Sequence, residues 1–352
     1  MSRGWGEPAA PAAEVSLRFR TEPGCASVAN LSAATRIGHT LFLAGDEGAS
    51  IERLTPDRGG WGNHERIDLT KLLDIDDPDD EADIEGLAAD DDWLWVLGSH
   101  ARTRPKPEKE KAARIDTLKL ADLKDTRARC LLGRLPLVAR DGGLWPVAQD
   151  GERRAGMLKQ TKHGNAIAAA LRKDALLKPF TRIPAKEGGV DVEGIAVCGD
   201  RVALGMRGPV IGKNALLLEL RFRVTGSGKL KLEGPPVKRL LALEGLGIRD
   251  LKRCGDDLLI LAGPTTGLSG PCTLYRWAGW AGDPPQDPHE VRLHRPERLL
   301  ELPFGHGFDH PEGLALWDDG RILVVNDSPA EARLTGGGQT LTADLFELPD
   351  GR

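Results

Sequence analysis

The sequence predicts an all-β fold, a six-bladed β-propeller, and three observations predict it. First, a short motif returns: Asp83-Ile84-Glu85-Gly86-Leu87-Ala88, then Asp191-Val192-Glu193-Gly194-Ile195-Ala196, then His310-Pro311-Glu312-Gly313-Leu314-Ala315. Each copy is followed by a polar turn, an apolar run (Trp93 to Leu97, Val202 to Leu204, Ile322 to Val325) and a polar cluster that begins at Ser99-His100, Arg207-Gly208 or Asn326-Asp327. Second, the copies keep a period. Glu85 and Glu193 are 108 residues apart, two steps of 54, and short strands recurring every 40–60 residues or so mark propeller blades. Third, 43 glycines and 24 prolines are spread over all 352 residues, as many short strands joined by turns require.

Taken in order, residues 1–13 are Pro/Ala/Gly-rich and read as a disordered tail. Residues 14–350 read as a single propeller domain. Glu14 to Arg20 alternates polar and apolar, a strand signal. Asn30 to Ala33 and Thr40 to Glu47 form a first copy in which Ser32 takes the place of the glutamate. Val138 to Val147, with its Asp-Gly-Gly turn, supplies a hidden copy near position 139. Cys198-Gly199-Asp200 recurs as Cys254-Gly255-Asp256, which aligns Glu193 with Arg249 and Gly194 with Asp250. Starts near 32, 85, 139, 193, 249 and 312 give six blades. The last is short, and the strand Glu14 to Arg20 completes it, closing the ring without a long free edge. Two segments interrupt the pattern as decorations: a charged loop, Arg102 to Lys111, and a helical stretch, Asn165 to Leu177.

Composition bounds the partners. With 48 basic and 53 acidic residues interleaved, the net charge is −5, and no basic stripe marks a nucleic-acid surface. No window approaches the roughly 20 apolar residues of a membrane span. The start lacks a signal-peptide pattern. The five cysteines are scattered without a CxxC pair, so buried thiols and a cytoplasmic location are expected.

A ring of blades brings equivalent inner positions together on the axis. Glu85, Glu193 and Glu312 then face one another with Arg249 and Ser32 at two further positions. Carboxylates at one mouth repel unless something positive stands among them. A hard divalent cation such as calcium is one answer, with Glu85, Glu193, Glu312, Asn326 and Asp327 as its ligands. Asp46, Glu47, Asp250 and Arg102 are candidates for further ligand contacts. Arginine is the other answer: Arg207 and Arg249 would pair with the same carboxylates. A recurring Glu also serves as a purely structural hydrogen-bond acceptor between blades, and His100 has the bland reading of a bonded loop histidine. The sequence holds no P-loop, no GxGxxG before a helix, no GxSxG and no HExxH.

The segments 83–88, 98–100, 191–196, 205–209 and 325–328 together resemble a bacterial family, the domain of unknown function numbered thirty-six sixteen. The resemblance covers roughly residues 15–350. That family is similar in turn to the esterase-like domain of phytase-like proteins and to calcium-binding propellers of the gluconolactonase type. It implies a β-propeller with a polar axial site and a bound divalent cation, with Glu312 and Asn326-Asp327 the nearest matches to that metal site. Three axial glutamates and Arg249 depart from it. The leading expectation is a metal-assisted hydrolase of a small anionic or phosphorylated ester. In it Arg207 and Arg249 grip the anion and His100 carries protons. The alternative is a non-catalytic module that binds a protein or a ligand, its axial Glu–Arg pairs serving structure.

Overall fold

Tight turns set up the repeat. Cys198 and Arg201 are joined through Gly199 at φ 60°, and Cys254 and Asp257 through Gly255 at φ 61°, a backbone region that glycine enters without strain. Each such turn folds an inner strand back on its neighbour. The computed structural model describes residues 5–20, 28–45, 48–76, 81–104, 117–124 and 127–349.

Most of the described strands fall into five antiparallel sets; Val291–His294 lies parallel against Leu230–Leu241, and Gln149–Asp150 pairs with Arg153–Arg154 in a hairpin of its own. The first is Leu31–Ile37, Thr40–Gly45, Ser50–Asp57 and Gly60–Asp68. The second is Ile84–Asp90, Trp93–Gly98 and Leu132–Arg140, with Gly143–Pro146 and Gly156–Met157 sharing its far edge. The third is Asp191–Cys198, Arg201–Gly208, Ala215–Val224 and Leu230–Leu241. Gly247–Cys254, Asp257–Gly263, Cys272–Trp277 and Glu297–Leu302 make the fourth. The fifth has His310–Leu316, Arg321–Asp327 and Thr340–Glu347, and Ala13–Arg18 lies antiparallel along this last strand. Ala13–Arg18 also meets the first set through a parallel bridge from Leu17 to Trp61, so sets one and five form a continuous sheet.

The first strands of the five sets touch in ring order, each against the next, and the fifth against the first. Five apolar layers match the five junctions. Leu97 and Ile195 lie in the layer between sets two and three, Ala203 and Leu258 in that between three and four, and Leu261 and Leu314 in that between four and five. Leu41 and Leu323 share the layer between five and one, and Phe42 and Val96 that between one and two. Because every sheet is covered on both faces, the inner strands are buried almost throughout, and their apolar residues run continuously instead of alternating. The architecture is all-β and propeller-like.

The expected sixth copy is not among the described strands. Val138 to Val147 lies in the second set, where Leu132 to Pro136 pairs with Trp93 to Leu97 and Val138 to Arg140 turns back onto Gly143 to Trp145. The long gap before Glu193 instead holds the segment that follows Arg102 and an insert built around the helix Ala166–Lys173. That helix lies within the expected stretch, and Asn165 caps it by accepting from the N–H groups of Ile167 and Ala168. Residues 5–12, expected as a tail, run along the rim, where Ala9 N–H donates to Glu301 O at 2.8 Å. No helix among the described residues is long and apolar enough to cross a membrane.

Candidate functional site

Each inner strand breaks register with its partner at the equivalent place, and Asp191–Cys198 does so a second time between Asp191 and Val192. The equivalent shifts fall between Leu31 and Ala33, Ile84 and Gly86, Val192 and Gly194, Ile248 and Asp250, and Pro311 and Gly313. The residues left over are Ser32, Glu85, Glu193, Arg249 and Glu312, the five positions aligned from sequence. A bulge frees one residue from the ladder and re-aims it, so the repeat places one adjustable side chain per set near the axis. The residue after the bulge packs on the next inner strand. A Cβ on Gly194 would come within 3.0 Å of Leu251 N, and one on Gly313 within 3.0 Å of Ala34 N, which is why glycine follows the glutamate.

Arginines tie the glutamates together. Arg249 Nη1 lies 3.0 Å from Glu193 Oε2, and its Nη2 lies 2.6 Å from Glu312 Oε1. Arg207 Nη1 sits 2.7 Å from Glu193 Oε1, and its Nη2 pairs with Asp191. Beside them Asp83 accepts from Ser99 Oγ and pairs with Arg129, which also reaches Glu81 at 2.7 Å. The result is a chain Asp191–Arg207–Glu193–Arg249–Glu312, with a separate group Asp83–Arg129–Glu81 beside it. Glu85 stands apart: among the described residues it has no ion pair and no side-chain hydrogen bond.

Six carboxyl groups thus face three guanidiniums, and the buried acids respond. Burial first, then the charges of Glu193, Asp83, Glu312 and Asp191, push Glu85 well above the usual carboxyl range. Burial raises Glu312 to about 8 and Asp191 to about 7, against the pull of Arg249 and Arg207 respectively. Burial likewise raises Asp83, with Arg129 opposing. The arginines stay charged, held up by the carboxylates around them.

A second layer closes the axis. Asp250 follows Arg249 where the three glutamate copies have glycine and the first copy has Ala33. It takes Lys252 Nζ at 2.6 and 2.7 Å and accepts from Leu314 N–H at 2.7 Å. Lys252 also donates to Leu87 O at 3.1 Å, across the ring on the second inner strand. Asp250 and Lys252 are both buried, so this pair locks sets two, four and five together instead of offering a ligand contact.

The remaining expectations distribute as follows. Asn326 and Asp327 end the second strand of the fifth set. The Asn326 amide oxygen is buried without a partner, and Asp327 accepts from Ser328 Oγ at 3.2 Å. His100 lies off the axis. Its Nδ1–H donates to Gly98 O at 2.8 Å and its Nε2 accepts from the Asn165 amide at 2.9 Å. Burial lowers its pKa to about 4 against the opposing effect of the two hydrogen bonds, the behaviour of a neutral structural histidine. Arg102 lines a cleft beside His100. Asp46 and Glu47 lie outside the described residues.

Among the described residues no three His, Cys, Asp or Glu side chains are grouped to hold a metal ion. A calcium ion would take six to eight oxygens. Here both oxygens of Glu193 and one of Glu312 already meet guanidinium groups. Arg249 stands between them, so the expected ligand set does not fit a caged cation in this arrangement. Asp83, Asp191, Arg129 and Lys252 belong to the network and were not among the residues singled out from sequence. An aspartate two places before the glutamate in two of three copies was the available signal for the first pair; Arg129 and Lys252 carry none.

Residues 30–344 match the family described as "Protein of unknown function (DUF3616)". No curated protein matches the chain. Similar solved structures include the Myxococcus xanthus glutaminyl cyclase, 12% identical with a TM-score of 0.40, the match covering 97% of this chain and 100% of that one. Another is a PQQ-bound aldose sugar dehydrogenase from Streptomyces coelicolor, 13% identical, TM-score 0.38, with 96% and 100% covered. The WD40 β-propeller domain of Doa1 is 9% identical, TM-score 0.36, with 96% of each chain covered. Likeness at this level assigns no activity.

Proposed function

We propose, from the premise that this chain belongs to the DUF3616 family, that it is a ligand-binding propeller whose axial mouth receives a small cationic group. We read the five sets as five blades, the last taking its outer strand from Ala13–Arg18. The observation that carries the proposal is Glu85. It is a partly exposed carboxyl group in an acid-rich cluster, the one axial glutamate without a cationic partner among the described residues. An ammonium or guanidinium group, or a hydrated divalent ion, would complete its charge as Arg249 completes Glu193 and Glu312. The axial arginines are already committed to carboxylates, which disfavours a small anion at the same spot. Binding a cation would displace the proton that Glu85 holds, so affinity should rise with pH.

A second reading rests on the raised carboxyls. Burial raises both Glu85 and Glu312, the latter to about 8, while Glu193 is paired with two arginines. One acid and one base from differently tuned carboxyls is the arrangement that hydrolyses esters and glycosides. On this reading Glu85 carries the proton and no step runs through a metal ion.

Calorimetric titration decides between them. Methylamine, agmatine, calcium and magnesium are titrated separately into the purified protein at pH 6 and pH 8. The binding reading expects at least one to bind more tightly at pH 8 with proton release, and Glu85→Gln to abolish it. If none binds at either pH, the cation site is wrong. Turnover of a phosphate, ester and lactone panel, lost in Glu85→Gln, would then install the hydrolytic reading.

A further inference from the structure

Two positions on the ring have the same surroundings and different occupants. Set four lies between sets three and five, and set one lies between sets five and two. Each is therefore flanked by two bulge glutamates, Glu193 and Glu312 in the first case, Glu312 and Glu85 in the second. Set four places Arg249 between its pair. One guanidinium spans both carboxylates, its Nη1 3.0 Å from Glu193 Oε2 and its Nη2 2.6 Å from Glu312 Oε1. Set one places Ser32 there, a short neutral side chain that is 3% exposed and whose hydroxyl donates to Ile84 O.

The acids on either side of Ser32 differ accordingly from those on either side of Arg249. Glu312 meets Arg249 through Oε1, and Glu85 has no cationic partner among the described residues. The two act on each other, since the charge of Glu312 is one of those that raise Glu85. An uncharged acceptor stands at the same mouth. Asn326 lies opposite Pro311, next to Glu312, is 6% exposed, and its amide oxygen has no partner. A buried oxygen without a donor is costly, and a ligand N–H relieves that cost. Among the described residues no three acidic side chains are grouped to hold a single ion. Acceptors spread in this way suit a flat, many-donor cation better than a point charge. A guanidinium presents five N–H donors in one plane, whereas an ammonium is compact.

We propose that the axial ligand is a guanidino compound: its guanidinium lies over Ser32 and bridges Glu85 to Glu312 as Arg249 bridges Glu193 to Glu312, and the Asn326 amide oxygen takes a further N–H. This rests on the cation reading of Glu85 given above and narrows it from any cation to one chemical class. A free guanidino metabolite and an arginine side chain of a partner share that chemistry.

Calorimetric titration of the purified full-length protein at pH 8 compares methylguanidine with methylamine, which carry the same charge. Methylguanidine should bind roughly tenfold more tightly or better, the scale of one further hydrogen bond to a charged group. Glu312→Gln removes the second carboxylate and should cut that preference to below about threefold, with methylamine still held by Glu85. Ser32→Arg brings a guanidinium to the same place from within the chain and should weaken methylguanidine by about tenfold or more. Circular dichroism establishes that each variant folds, and the wild-type ratio decides even where one does not. Agmatine and the blocked peptide acetyl-Gly-Arg-Gly-amide are titrated in parallel, and the tighter of the two identifies the metabolite or the side chain as the source. Equal affinities for methylguanidine and methylamine, or an undiminished methylguanidine affinity in Ser32→Arg, would overturn the guanidinium bridge and leave the cation at Glu85 in place. Binding of neither compound would overturn both.

Discussion

Second, third and fifth sets place Glu-Gly at the bulge, whereas the fourth places Arg249-Asp250 there. The Glu-Gly copies let neighbouring backbones approach and leave a carboxyl group at the axis. The fourth copy gives up that glycine, and Asp250 fills the place by bonding Leu314 N–H and Lys252. Repetition builds the ring, and of the two copies that depart from Glu-Gly the fourth supplies Arg249, which ties Glu193 to Glu312. A ring of five Glu-Gly copies would have no internal cation at its centre.

The sharpest way to break this contrast is Arg249→Leu. It strands Glu193 and Glu312, and leaving buried partners unpaired costs about 3–5 kcal/mol. Urea unfolding at pH 7 should register that loss, and adding Glu312→Gln should restore part of it. A loss below about 1 kcal/mol, the surface-pair scale, would mean the axis does not depend on Arg249.

Glu85 tests the unpaired copy. An acid raised in the folded state binds more protons there than in the unfolded chain. Its contribution is therefore favourable at low pH and is lost as pH climbs from the ordinary carboxyl range toward the raised folded value. The same holds for Glu312, lost as pH rises toward about 8, and for Asp191, lost toward about 7. Glu85→Gln, fixed in a neutral form, should then stabilise by about 1 kcal/mol at pH 8 and change little at pH 5. Equal effects at both values would show that Glu85 is ionised throughout.

Ser32 is the mildest case, the first set's neutral stand-in. Its hydroxyl donates to Ile84 O at 2.6 Å on the next inner strand. Ser32→Ala should lower stability by about 1 kcal/mol with no pH dependence. A pH-dependent loss would tie Ser32 to the carboxyl network instead.

The five equivalent positions were legible because the repeat period and the Gly-Asp turns align them without reference to contacts. The sixth copy was misread because Val138 to Val147 has a turn and two strand-like runs, and local pattern cannot say which sheet a strand joins. The competing charge partners at the axis, arginine or metal, were both visible in Glu193 and Arg249. Only the placement of Arg249 between Glu193 and Glu312 separates them. Arg129 and Lys252 were out of reach, since Arg129 meets Asp83 from 46 residues away and Lys252 reaches Leu87 from 165. His100 shows the reverse: a residue that looks chemical in sequence is kept neutral by burial, with both ring nitrogens held by hydrogen bonds.

The pairing of Ala13–Arg18 with Thr340–Glu347 sets an order in time. During synthesis the first of these segments leaves the ribosome roughly 320 residues before its partner. At about 5–20 residues per second, the early strand waits roughly twenty seconds to a minute. Through that interval Val15, Leu17 and Phe19, buried in the finished protein, stand open on an unpaired edge, the situation in which strands seek wrong neighbours. Loop length itself adds little, roughly 0.6 kcal/mol per doubling. The hazard for this chain is therefore one of waiting, and slowing translation anywhere between the two segments should increase misassembly.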